Sequence, residues 1–145
     1  YLITRHKISS YSLETASVFG EYFPNPSNPE IITSTKQAFF AELSASFLLI
    51  FIILIIINIK KLKNYSAILI GILVGVLICF YAPITQCCMN PARDIGPRIV
   101  SYFTGWEEFA FKQNGLGWLT VYIIAPLSGA SLATVLFRRI KRFQS

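Results

Sequence analysis

The sequence predicts an all-α membrane protein with three transmembrane helices and one short helix between the second and third that cannot cross the bilayer. Three observations predict this. Apolar residues make up 54% of the chain, more than soluble domains usually carry. They gather in three blocks, each near the ~20 residues that cross a ~30 Å hydrocarbon core. Between the second and third blocks, Asn90-Pro91 opens a helical stretch too short to span.

The elements follow in chain order. Residues 1–36 are polar, and Pro24-Asn25-Pro26-Ser27-Asn28-Pro29 reads as an irregular loop on the outer side. Its opening, Tyr1 to Ser12, lacks the apolar core of a signal peptide. The only methionine is Met89, so a chain opening on Tyr1 is expected to be a piece of a longer product. Residues 37–59 form the first span, unbroken in apolar character from Phe47 to Ile57. Its β-branched residues would suit a strand, but its length requires a helix. Lys60, Lys61 and Lys63 fill a tight connection, and the second span is 65–85. The third span is 118–137, with Trp118 and Tyr122 placed for the aromatic belt at a membrane interface.

A basic tail, 139–145, follows the third span; with Arg138 it holds Arg139, Lys141 and Arg142. Three spans put this tail and loop 60–64 on one side, and the excess of Lys and Arg makes that side cytoplasmic. The protein is expected to be multi-pass, in the plasma membrane, with 1–36 and 86–117 outside. Asn64-Tyr65-Ser66 is a formal glycosylation sequon on the cytoplasmic side and is expected to stay unmodified. Asn25-Pro26-Ser27 is excluded as one by its proline.

Other classes fit poorly. The net charge is +6, but the basic residues cluster at the ends of apolar blocks, which is a membrane pattern and not a nucleic-acid footprint. Cys79, Cys87 and Cys88 form neither a disulfide framework nor a zinc spacing. His6 stands alone. With no nucleophile–base pair and no metal cluster in the sequence, neither an enzyme nor a metal or other cofactor is expected.

Asn90 and Pro91 are a strong helix start. Asn caps free N–H groups, and proline at the first position has no N–H to lose. A helix from Pro91 to Phe103 would be ~20 Å long, enough to reach the bilayer centre and return. An ordinary surface helix in an outer loop is the alternative. Ile99, Val100, Tyr102 and Phe103 form an apolar run unusual for an exposed loop.

The run Asn90-Pro91-Ala92-Arg93-Asp94-Ile95-Gly96-Pro97-Arg98 resembles the second signature loop of the aquaporin, or major intrinsic protein, family. The similarity extends from Phe19 to Ile140. It implies half of the six-span aquaporin fold: the second half of the channel, with its re-entrant loop and half-helix at 86–103. The first half, with its own Asn-Pro-Ala loop, is the missing partner, and Asn25-Pro26-Ser27 does not replace it. Homotetramers are also implied.

The resemblance assigns roles by residue type. The Asn90 amide would donate to a permeant oxygen, with Pro91 and Ala92 completing the tip. Carbonyls of Gln86, Cys87, Cys88 and Met89 would form a ladder of acceptors. The positive end of the half-helix dipole would repel cations. Arg93 would put its donors and charge into the narrowest part of the pore. Glu42, alone, could snorkel to the interface; the resemblance instead implies a buried carboxylate supporting the re-entrant loop. Gly71 and Gly75 make a small-xxx-small pair suited to close helix contact.

Asp94, Arg98, Pro126-Leu127 and the Phe19–Pro26 text resemble the glycerol-conducting branch. Two positions depart from it. Ile78 falls where glycerol conductors usually have glycine, and Cys87 where they often carry an aromatic ring. The expected activity is a passive path for glycerol, other small uncharged solutes or water. The alternative is a non-conducting half-channel with a structural or regulatory role.

Overall fold

A computed structural model describes residues 11–143; His6 and the last two residues of the basic tail lie outside that range. Most of the described residues are helical, with no strand among them. A short helix α1 covers Leu13–Ala16. α2, Thr35–Asn58, starts at Ser34, whose hydroxyl and the Gln37 side chain form a capping box. At 24 residues it is about 36 Å long. A 3₁₀ turn, Lys60–Tyr65, leads into α3, Ser66–Thr85. Residues 86–90 are non-helical, and α4 follows at Pro91–Phe103. α5, Glu107–Lys112, precedes the long α6, Gly117–Phe143. α2, α3 with its leading turn, and α6 are each long and apolar enough to cross a membrane.

α6 is not regular. Residues Thr120–Ile124 form a π-turn. Pro126 explains it: proline gives no N–H to the carbonyl of Tyr122, four residues earlier, and its ring crowds that carbonyl. Widening the turn relieves both problems. α6 packs along α2 at very short range. A Cβ added to Gly129 would strike the Leu43 carbonyl and the Phe47 backbone nitrogen, so the two backbones touch there.

The packing bears on several sequence expectations. Gly71 and Gly75 have open space around them; among the described residues the close helix contact is made at Gly129 instead. The loop before α2 is ordered in its described part. Ala16, Tyr22 and Trp106 are buried together, with Leu13, Phe19 and Phe109 against them. Tyr122 is not at an aromatic belt. It is fully buried with Phe23, Ala38, Cys88 and Val121, because the π-turn swings it inward. The basic residues after 138 continue α6 to Phe143, as Lys and Arg are good helix formers that favour a C-terminal turn. α5 was not foreseen at all.

Candidate functional site

The site is built around the bend between α3 and α4. α3 ends on Gln86, whose φ is 65°. Cys87 and Met89 also take left-handed backbone, with φ of 60° and 52°. For residues with side chains this costs about 1 kcal/mol or more each, so something must hold it. Glu42 does so from α2. It is fully buried. Its Oε1 accepts from the Cys88 amide at 2.9 Å and from the Thr85 hydroxyl at 2.6 Å. Its Oε2 accepts from the Met89 amide at 2.8 Å. One carboxylate therefore fixes three donors of the bend.

Asn90 closes the bend and caps α4. Its Oδ1 accepts from the Ala92 amide at 3.0 Å. That bond assigns the oxygen end inward and leaves the Nδ2 amide hydrogens as donors. Asn90, Ala92 and Arg93 are exposed, and Pro91 is half-buried. Arg93 Nη1 donates to the Cys87 carbonyl at 3.2 Å. The same nitrogen meets Glu21 Oε1 as an ion pair. The tip of the half-helix thus carries an amide, a guanidinium and the positive end of the helix dipole.

Of the two departures from the glycerol branch, Ile78 is 40% exposed on α3. The Cys87 side chain is buried, and its Sγ donates to the Leu77 carbonyl at 3.6 Å. Within the carbonyl ladder, the Cys87 oxygen is occupied by Arg93, while the amides of Cys88 and Met89 are occupied by Glu42.

Behind the tip, Asp94 and Arg98 lie one helical turn apart and form a buried latch. Asp94 accepts from Arg98 at 2.9 Å on Oδ2 and 2.7 Å on Oδ1. Asp94 Oδ1 also accepts from the Glu21 amide at 2.7 Å. Arg98 donates to the carbonyls of Glu21 and Ala110. Its guanidinium carbon sits 4.6 Å from the Tyr22 ring centroid and 5.7 Å from that of Tyr122, a cation–π pairing on both rings. Gly20 lies against the same guanidinium: an added Cβ would be 3.2 Å from Arg98 Cζ.

Further bonds tie the loop down. Gln86 Oε1 accepts from the Tyr22 amide at 2.7 Å, and its Nε2 donates to the Ser17 carbonyl at 3.3 Å. Asn25 Nδ2 donates to the Ala82 carbonyl at 2.6 Å, and Asn114 Nδ2 to the Phe23 carbonyl at 2.6 Å. Asn25-Pro26-Ser27 is therefore a structural fastening. Glu21, Tyr22 and the Gln86 side chain were missed by sequence reasoning. Glu21 was one charge in a polar loop, and its partners lie more than seventy residues away. Burial pushes its carboxyl up to about 7, against the pull of the neighbouring Arg93 guanidinium. No group of three or more potential metal ligands occurs among the described residues.

This architecture has known counterparts. The aquaglyceroporin from Plasmodium falciparum superposes with a TM-score of 0.66 at 20% identity, over 84% of this chain and 49% of that one; the fold is shared. The glycerol uptake facilitator protein of Pseudomonas aeruginosa is 35% identical over 128 residues, covering 86% of this chain and 44% of that protein. The Escherichia coli K12 glycerol uptake facilitator protein is 30% identical over 139 residues, covering 93% of this chain and 48% of its own length. Human aquaporin-10 is 33% identical over 129 residues, covering 86% and 40%. The chain spans about half the length of the curated relatives it matches. The family model Major intrinsic protein matches residues 14–137, and this chain, an integral membrane protein with half of the aquaporin fold, belongs to that family.

Proposed function

We propose that this chain forms one half of a passive channel for glycerol, water and other small uncharged solutes. The observation that carries the reading is the exposed tip of α4. Asn90 presents amide donors and Arg93 a half-exposed guanidinium paired on one side with Glu21, on a bend pinned by a buried carboxylate. Such a tip can replace the hydration of a neutral solute and repel a cation. It needs no cofactor and performs no reaction. The names of the relatives, two of them glycerol uptake facilitators, favour a polyol. Ile78 would make one wall of the constriction apolar and narrow; the Cys87 side chain, expected to line the path, is buried against the Leu77 carbonyl and would not widen it. Carbonyls of Gln86, Cys88 and Met89 would serve as acceptors along the path.

The first half of the channel is then the principal partner, lipid the surrounding solvent, and a homotetramer the expected assembly. Loop 60–64 and the end of α6 face the cytoplasm on this reading. The test is flux in vesicles carrying the full-length parent channel. Glycerol and water should pass and ions should not. Arg93→Val should admit cations or shift solute preference by several-fold. Identical solute and ion permeability in a well-folded variant would remove the role given to the tip. A second reading is a non-conducting half that acts as a partner of complete subunits. Vesicles holding this chain alone should show no solute flux above background on either reading; flux there would refute the need for a second half.

A further inference from the structure

The conduction reading above makes Arg93 the group that meets the permeant, but it leaves a carboxylate on that same guanidinium unexplained. Glu21 lies in the loop before α2, and only 9% of its side chain is exposed. Its backbone is locked: the amide goes to Asp94 and the carbonyl to Arg98. Its side chain is left to meet Arg93.

We propose that Glu21 is a specificity-determining residue, whose ionised carboxylate takes up hydrogen-bonding capacity of Arg93 and whose protonated form returns it to the permeant. This inference rests on the channel reading, and it names a control on that site.

The neighbours of Glu21 support the assignment. The charged groups around it are Arg93, Asp94 and Arg98 on α4 and Glu42 on α2. Cys87 and Cys88 in the bend and Tyr122 on α6 are the other titratable groups it interacts with, and Tyr22 is its neighbour in the chain. Asp94 and Arg98 neutralise each other within the latch. Glu42 is engaged with the amides of the bend. Arg93 is therefore the cation that answers to Glu21. Nη1 of Arg93 has two hydrogens, and the Cys87 carbonyl and Glu21 together occupy them. Once Glu21 is neutral, its bond to Nη1 loses its charge assistance, worth roughly half its strength. One donor then becomes available to a solute oxygen, and the positive charge at the tip is no longer balanced.

The proton would be taken from the aqueous side that this loop faces. A buried carboxyl with its midpoint about 7 is half ionised near neutrality. Because the folded value lies above the ordinary carboxylate value of 4.5, folding favours the protonated form. The associated stability is complete below the unfolded value and declines as pH rises through about 7.

A polyol exchanges several water contacts for protein contacts on entry, so a returned donor should favour it over water. In vesicles of the full-length parent channel, the glycerol-to-water permeability ratio should rise at least about twofold as the pH on the loop side falls from 8.5 to 5.5. Glu21→Gln keeps both backbone bonds of the latch and mimics the neutral form. Its ratio should be flat and close to the acidic wild-type value. A flat wild-type ratio, or a variant that follows the wild-type curve, would overturn the proposal. Infrared titration of the chain itself gives a readout independent of transport. A carboxyl C=O band should be lost as pH rises through neutrality, and Glu21→Gln should lack it. If the parent channel proves silent while the band titrates in this way, the conduction reading fails and the proton site stands. If the channel conducts and no such band exists, the proton site fails alone.

Discussion

The loop junction, where residues 17–25 meet the ends of α3 and α4, and the helix α3 are stabilised in opposite ways. In the junction, Glu42, Asp94 and Arg98 are at most 2% exposed, yet each makes several hydrogen bonds. A buried charge is tolerable only when paired and hydrogen-bonded. The chain from Ser17 to Asn25 is sewn onto the ends of α3 and α4 by polar contacts within this half. α3 with its leading turn is the contrary case. Only 6% of its most apolar stretch is buried, and Ile68, Ile72, Val76, Ile78 and Phe80 are exposed. Its stability must come from lipid or from further protein. The contrast teaches that the loop junction is a self-contained unit of this sequence, whereas the spans are only half of a packing arrangement.

That comparison can be broken at the loop junction first. Glu42→Ala should have the largest effect. It strands the amides of Cys88 and Met89 and the Thr85 hydroxyl, and frees a strained bend. The expected loss is about 3–5 kcal/mol, read as a lowered unfolding temperature in detergent and fast hydrogen exchange at both amides. A loss under about 1 kcal/mol would mean that the bend holds itself. Arg98→Met should come next. It leaves Asp94 buried without its counter-charge and should cost about 3 kcal/mol, the low end for a broken buried pair. The sharper readout is local: the Glu21 amide should exchange faster and a protease should begin to cut within 17–25. Unchanged exchange there would show that Gln86 and Asn25 hold the loop alone. Gly71→Ala and Gly75→Ala should matter least, with a gain of about 0.5–1 kcal/mol each from helix propensity, because nothing lies within 4 Å of either. A marked loss of stability in these variants would reveal a close neighbour on α3.

The three spans and the start of α4 were legible in the sequence alone, whereas α1 and α5 were not. Three apolar blocks of spanning length, Asn90 with Pro91 as a helix start, and the basic residues at block ends are all local signals. They arise because hydrophobic length and end-capping act between neighbours along the chain. The nine residues from Asn90 to Arg98 identified the family for the same reason, being contiguous. Glu42 also stood out, since a carboxylate inside an apolar span demands a partner. What the sequence left undecided was who meets whom. Glu21 reads as an ordinary loop charge until its amide is found on Asp94, 73 positions away. Tyr122 reads as an interfacial aromatic until the π-turn before Pro126 turns it inward. Only the tertiary structure joins the loop before α2 to the first turns of α4 and so sets a carboxylate against Arg93. A hydrogen bond reports nothing in the sequence about the distance it spans, and the pairing is fixed only when packing brings both partners out of water together.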